Sequence, residues 1–97
     1  MTAYIIARVN VTDSEKYEDY KALAQAAIAA HGGRYLVRGG HMKLLEGEPE
    51  SRRVVVLEFP TLEAAEKFYH SAEYAAAREK RRGAAEMQLV LMEGYGE

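Results

Sequence analysis

Two segments of this chain alternate like strands yet carry apolar residues on both of their faces, which limits the possible folds sharply. Over residues 3–10, Ala3, Ile5, Ala7 and Val9 fall on one side, and Tyr4, Ile6, Arg8 and Asn10 on the other. Over residues 53–59, Val55, Leu57 and Phe59 oppose Val54, Val56 and Glu58. Successive side chains of a strand point to opposite faces, so each group belongs to one surface of a sheet. The first group in each pair is wholly apolar and calls for a covering layer of helices. The second mixes Tyr4, Ile6, Val54 and Val56 with charge, where a solvated antiparallel sheet would be cleanly polar. A third extended run, Arg34 to Arg38, divides into Tyr35 and Val37 against Arg34, Leu36 and Arg38. Together with Leu36, the second face forms a broader apolar patch than a monomer ordinarily exposes. A second sheet packed on it, most simply from an identical chain related by a two-fold, is therefore expected. In that arrangement Arg8, Arg34, Arg38 and Glu58 lie in or around the interface, with Arg8 and Arg38 as partners for Glu58.

The intervening segments have helical spacing. Thr12-Asp13-Ser14-Glu15 reads as a capping box with Thr12 as the cap. Tyr17, Tyr20, Ala24, Ala27 and Ile28 then recur on one helical face up to Ala30. His31-Gly32-Gly33 ends this helix, with His31 close to its last carbonyls. After Arg38, Gly39-Gly40 predicts a bulge or kink, Met42 to Leu45 continues extended, and the segment 47–51 turns. Pro60-Thr61 stops the strongest strand, and Thr61 caps a helix over 62–70. Ser71 caps another over 72–82, Gly83 closes it, Glu86 to Glu93 is the last strand, and Gly94 to Glu97 is a loose tail. The order βαββαβ with short connections predicts a ferredoxin-like α+β sandwich, a four-stranded antiparallel sheet with helices on one face and spatial order 4-1-3-2. At 97 residues it is read as one domain, 1–97, able to build a single core with little surplus.

Several function classes lose support. The net charge is −2, and acids and bases are interspersed, so nucleic-acid binding has no basic face to rest on. The run Arg78 to Arg82 falls where a helix ends, where cations complement the helix dipole. The chain has no cysteine, which removes disulfides, thiol catalysis and zinc–thiolate sites. Its first eight residues read as a strand rather than a signal sequence, no stretch is long enough to span a membrane, and a cytoplasmic location is expected. No two histidines stand four apart and no carboxylates cluster, so no dedicated metal site is expected. A single histidine leaves haem ligation open, but nothing in the sequence recommends it, and no cofactor is expected.

The segments Gly32-Gly33-Arg34-Tyr35-Leu36-Val37-Arg38-Gly39-Gly40, Glu58-Phe59-Pro60 and Phe68-Tyr69-His70-Ser71-Ala72-Glu73-Tyr74, in that order, resemble the domain of unknown function 1330 family. The likeness runs from Tyr4 to about Gly94. Ala72 departs from it, since proline is common there and suits a first helical turn. The resemblance implies a ferredoxin-like protomer whose sheet pairs with another into a dimeric α+β barrel. The broader barrel group includes cofactor-free monooxygenases, small-molecule isomerases and haem-binding enzymes.

The expected site is a pocket between helices and sheet in a homodimer, taking a small, partly apolar molecule. His41, beside the glycine bend, and Glu58, ending an apolar strand, are the candidate proton acceptors. Tyr69 and Tyr74 would shape the pocket and hydrogen-bond the ligand, and Arg38 or Arg82 would stabilise negative charge. His70 is read as solvated. A cofactor-free monooxygenase or an isomerase fits these parts. So does a non-catalytic binding or assembly module whose charged sheet face only sets the dimer, and the residues leave enzymatic activity open.

Overall fold

The first strand, β1 (Ala3–Val11), is central because both of its edges are taken. In the computed structural model, which describes residues 1–96, it pairs antiparallel with β3 (Arg53–Phe59) on one side and β4 (Ala85–Glu93) on the other. The short β2 (Arg34–Arg38) completes the sheet beyond β3, giving the order β2-β3-β1-β4, as the element order predicts. Three helices cover one face: α1 (Ser14–Ala30), α2 (Leu62–Tyr69) and α3 (Ala72–Arg81). The result is a two-layered slab of 37 × 35 × 16 Å. No helix among the described residues is long and apolar enough to cross a membrane.

The core lies between the layers, where the apolar group of each strand was expected to meet helices. Ile5, Ala7 and Val9 of β1 and Leu57 and Phe59 of β3 are buried there against Tyr17, Tyr20 and Ile28 of α1. Phe68 joins Phe59 and Tyr74 into an aromatic stack, with ring centroids 5.0 and 4.5 Å apart. Gly33 admits this packing, since a Cβ there would stand 2.5 Å from the Phe59 ring.

Local chemistry fixes the helix ends. Thr61 and Ser71 cap α2 and α3 as expected, accepting from the N–H groups of Ala64 (3.0 Å) and Tyr74 (3.1 Å). The cap of α1 is one residue later than the capping-box reading. Asp13 accepts from Lys16 N at 3.2 Å, because Thr12 is still held to the sheet end, its N–H donating to Ala84 O at 2.8 Å. His31 does end α1, its N–H donating to Ile28 O at 3.2 Å. In the tail, Gly94 N–H donates to Thr2 O at 2.7 Å, and Glu97 lies outside the described residues.

The largest departure from expectation is in β2. The expected kink is present at Gly39, a bend with φ +68°, but the register against β3 also shifts between Tyr35 and Val37, inside the strand. One extra residue reverses the alternation that follows it. Val37 therefore sits opposite Val56 on the outer face, and Arg38 opposite Val55 on the helix side, the reverse of the simple alternation. Met42 to Leu45 then join no strand and belong to the long connection between β2 and β3.

Candidate functional site

The outer face of the sheet carries a row of four apolar side chains, one from each strand: Val37, Val56, Ile6 and Val90. The row beside it places Glu58 next to Tyr4 and Arg34, and Tyr4 next to Met92. Leu36, Val37, Val90 and Met92 are all exposed in the single chain. Charges frame the band. Arg34 Nε donates to Glu58 Oε1 at 2.6 Å, so neither Arg8 nor Arg38 is the partner of Glu58. Arg34 lies directly across the ladder, Arg8 is opposite Val54, and Arg38 has crossed to the other face. Arg8 instead donates to Glu50 at 3.2 Å. Glu50 also accepts from the side chain and backbone N–H of Arg52, which together pull its carboxyl from an ordinary 4.5 down to about 2.

The inner face holds a cleft of about 410 Å³ between α2, α3 and the β4 edge. That is within the range of small-molecule pockets, roughly 300–1,000 Å³. Ile5, Met87, Leu89 and Leu91 form its sheet wall, and Ala65, Glu66, Tyr69, His70 and Arg81 face them from the helices. The polar lining comes from both helices, Glu66 and Tyr69 from α2, His70 from its end and Arg81 from α3, where Tyr74, Arg78 and Arg81 recur at i, i+4 and i+7. Arg78 Nη1 donates to the Tyr69 hydroxyl at 3.2 Å, and its guanidinium carbon stands 4.7 Å from that ring's centroid. Arg81 Nη1 donates to the Tyr74 hydroxyl at 3.3 Å and touches Met87 Sδ at 2.7 Å. Tyr74 and Tyr20 share a buried O···O hydrogen bond of 2.7 Å.

Burial pushes the Tyr20 phenol well above its ordinary range, and the neighbouring Tyr74 adds to the rise. Burial raises Tyr74 as well, with the hydrogen bond from Tyr20 and the Arg81 charge working against it. Both phenols are therefore neutral at physiological pH. Among the described residues neither Arg78 nor Arg81 stands within 4 Å of a carboxylate. The cleft is apolar on one wall and carries the Tyr69 phenol, the Arg81 guanidinium and the His70 imidazole beside the Glu66 carboxylate on the other, so that it offers both donors for an oxygen anion and acceptors for a proton.

The residues singled out in the sequence divide. Tyr69 lines the cleft, and Tyr74 meets it through Arg81. Arg38 lies over the Tyr35 ring, 4.3 Å from its centroid, and lines a smaller separate cleft. Glu58 is on the opposite face of the sheet, His41 is exposed on the long connection, and Arg82 is exposed beyond α3, 3.3 Å from Glu79. Glu66, His70 and Arg81 were not foreseen as lining residues, although His70 is exposed there, as its solvated reading expects. The signal for Arg81 was its seven-residue spacing from Tyr74, masked by reading the basic run as a helix end. Among the described residues no cluster of three or more His, Cys, Asp or Glu could hold a metal ion.

The fold and cleft define a ferredoxin-like α+β domain with an inter-layer cleft. The chain belongs to the family described as Domain of unknown function (DUF1330), which matches residues 2–95. Among solved structures it is similar to RPA0582, a protein of unknown function from Rhodopseudomonas palustris. That likeness has a TM-score of 0.75 at 18% identity and covers 99% of this chain and 84% of that one. SnoaB from Streptomyces nogalater, a cofactor-independent oxygenase, superposes with a TM-score of 0.69 at 13% identity, covering 99% and 95%. A dimeric protein of unknown function with a ferredoxin-like fold from Bacteroides fragilis gives 0.55 at 16% identity, covering 96% of each chain. At these identities the likeness is one of fold. No curated protein matches the sequence.

Proposed function

We propose that the protein is a homodimer in which each protomer binds a small, partly apolar molecule bearing an anionic or phenolic oxygen. The cleft of about 410 Å³ carries this reading, with its aliphatic β4 wall facing Tyr69, His70 and Arg81. The apolar body of the ligand packs on Leu89 and Leu91, and its oxygen turns toward Arg81. The row Val37, Val56, Ile6 and Val90 supports assembly through the outer face, as does the dimeric state of one structural neighbour. On this reading Arg34, Glu58 and the Arg8–Glu50 pair set the register of the two sheets.

Cofactor-free oxygenation or isomerisation is the chemistry we assign to the cleft. Both begin by removing a proton from an activated carbon or hydroxyl and stabilising the anion that remains. His70 and Glu66, which line the cleft, take the proton-accepting place considered for His41 and Glu58. The fold shared with the cofactor-independent oxygenase SnoaB supports this choice.

The test is calorimetric titration of the dimer with a panel of phenols, naphthols and hydroxyquinones, alongside Leu91→Trp, which fills the cleft from its partly exposed sheet wall. Saturable binding at one site per protomer, weakened tenfold or more by Leu91→Trp, is expected. Oxygen uptake or isomerisation without added metal or flavin would follow for a tightly bound member. Failure of the whole panel to bind, or equal binding by Leu91→Trp, would refute the reading.

A further inference from the structure

A second space opens on the inner face, between α1 and the β2–β3 end of the sheet, and its mouth is cationic. Tyr17 and Lys21 of α1 line it with Tyr35, Arg38 and Arg53, and no carboxylate is among its lining residues. Lys21 is occupied, its Nζ lying 2.7 Å from Glu18 Oε2. The two arginines differ from it, since neither stands within 4 Å of a carboxylate among the described residues. Arg53 is held in place from two sides. Its Nη2 donates to Arg38 O at 3.4 Å, and Gly39 lies so close that a Cβ there would stand 2.5 Å from Nη1. Its Nε is buried and has no hydrogen-bond partner among the described residues. A buried charged donor without a partner is costly, and such groups are normally satisfied. The β2 bulge is what brings Arg38 to this side.

The space measures about 40 Å³. A water-sized atom needs roughly 10–15 Å³ on that measure, so about three heavy atoms fit. Three is the heavy-atom count of a planar carboxylate, whereas phosphate brings five in a tetrahedron. Guanidinium groups match carboxylates in plane and spacing. The remaining wall, which includes Ala24, Val55 and Leu57, is apolar and disfavours a strongly hydrated anion, and because the space takes only the carboxylate, the rest of the acid lies outside it.

We propose that this cleft is a carboxylate-binding site, in which Arg53 and Arg38 hold the carboxylate of a small organic acid beside the Tyr17 and Tyr35 rings. It is separate from the larger cleft, although both use Met87 and Leu89 as wall. The hydrogen-bonded chain Arg81–Tyr74–Tyr20 runs from the lining of one to the lining of the other.

The experiment is titration of the full chain with benzoate, benzyl alcohol and inorganic phosphate, followed by amide chemical shifts and by Tm. Arg53→Gln, Arg38→Gln, Arg82→Gln and Leu91→Trp are compared with the wild type. Saturable benzoate binding is expected, with the largest shifts at residues 17, 35, 38 and 53, and at least tenfold weaker binding in Arg53→Gln and Arg38→Gln. Read at residues 17, 35, 38 and 53, benzoate affinity in Arg82→Gln should stay within twofold of wild type, and any benzoate response at the larger cleft is read apart from it, at residues 69 and 81, where Leu91→Trp should weaken it. Absence of saturation, or benzyl alcohol or phosphate binding as tightly as benzoate, overturns the proposal. If Arg53→Gln does not fold, the exposed Arg38 position decides, and benzoate affinity within twofold of wild type in Arg38→Gln overturns it equally.

Discussion

Tyr74→Phe removes one oxygen from the interior and leaves two groups that pointed at it. The Tyr20 hydroxyl loses its partner at 2.7 Å, and Arg81 Nη1 loses its acceptor at 3.3 Å. Tyr74 is 1% exposed, so water cannot readily replace the lost oxygen. A net hydrogen bond is worth about 1 kcal/mol, and a stranded buried hydroxyl costs about 1–3 kcal/mol. Arg81 keeps its contact with Met87 and is only partly buried, so its share is small. We expect Tyr74→Phe to destabilise by about 2–3 kcal/mol. Tyr20→Phe should cost less, about 1–2 kcal/mol, because Tyr74 retains Arg81. The double variant strands no phenol, so its cost should fall about 1 kcal/mol or more short of the sum of the single costs. In a domain of this size each kcal/mol moves Tm by about 4–8 °C. Urea unfolding at one fixed protomer concentration reads all three, since the proposed dimer would make stability concentration-dependent. Strict additivity of the two single variants would refute the reasoning, whatever their individual sizes.

Three further outcomes follow. Glu50 has its carboxyl lowered from 4.5 to about 2, chiefly by the Arg52 side chain and then its backbone N–H. A lowered folded pKa gives stability that is present above pH 4.5 and lost as pH falls toward 2, so Glu50→Gln should flatten the urea midpoint's pH dependence in that window. An unchanged slope would contradict the ion-pair geometry. Asp13→Ala should cost about 1 kcal/mol as a lost helix cap, while Thr12→Val, whose backbone bond to Ala84 persists, should cost less than half of that by the same assay. The reverse order would return the cap to Thr12. His41→Ala should leave ligand affinity at the larger cleft within twofold by calorimetry, because His41 is exposed on the connection after β2; a tenfold loss would bring that connection into the site.

The layers were legible because period-two and helical spacing rarely conflict here. Ile5, Leu57 and Phe59 could only face helices, and Thr61 and Ser71 announce their caps in sequence. The β2 bulge was not legible. Arg34 to Arg38 alternates well enough to look regular, and the extra residue shows only in the pairing with β3. That one shift moved Arg38 to the other face and left Glu58 to Arg34. Tyr69 and Tyr74 were found as pocket candidates because aromatic residues at a helix junction above a sheet have few other places to go. The placement of Arg81 and His70 at the cleft was not legible because it depends on how α2 and α3 sit on β4, a tertiary fact that local spacing does not encode, while the exposure expected of His70 is observed. His41 drew notice from the glycines before it, yet a bend only re-aims a side chain into a site when the following segment returns to the sheet.

The central claim is that the two faces of one sheet do different work, the inner enclosing the clefts and the outer meeting a second copy. Sedimentation equilibrium of the wild type and of Val56→Asp at low micromolar concentration tests it most directly. Val56 sits mid-row on the outer face, away from both clefts. The account predicts a wild-type dimer and a folded Val56→Asp monomer. A wild type that sediments only as monomer, or a Val56→Asp variant as dimeric as its parent, would contradict it.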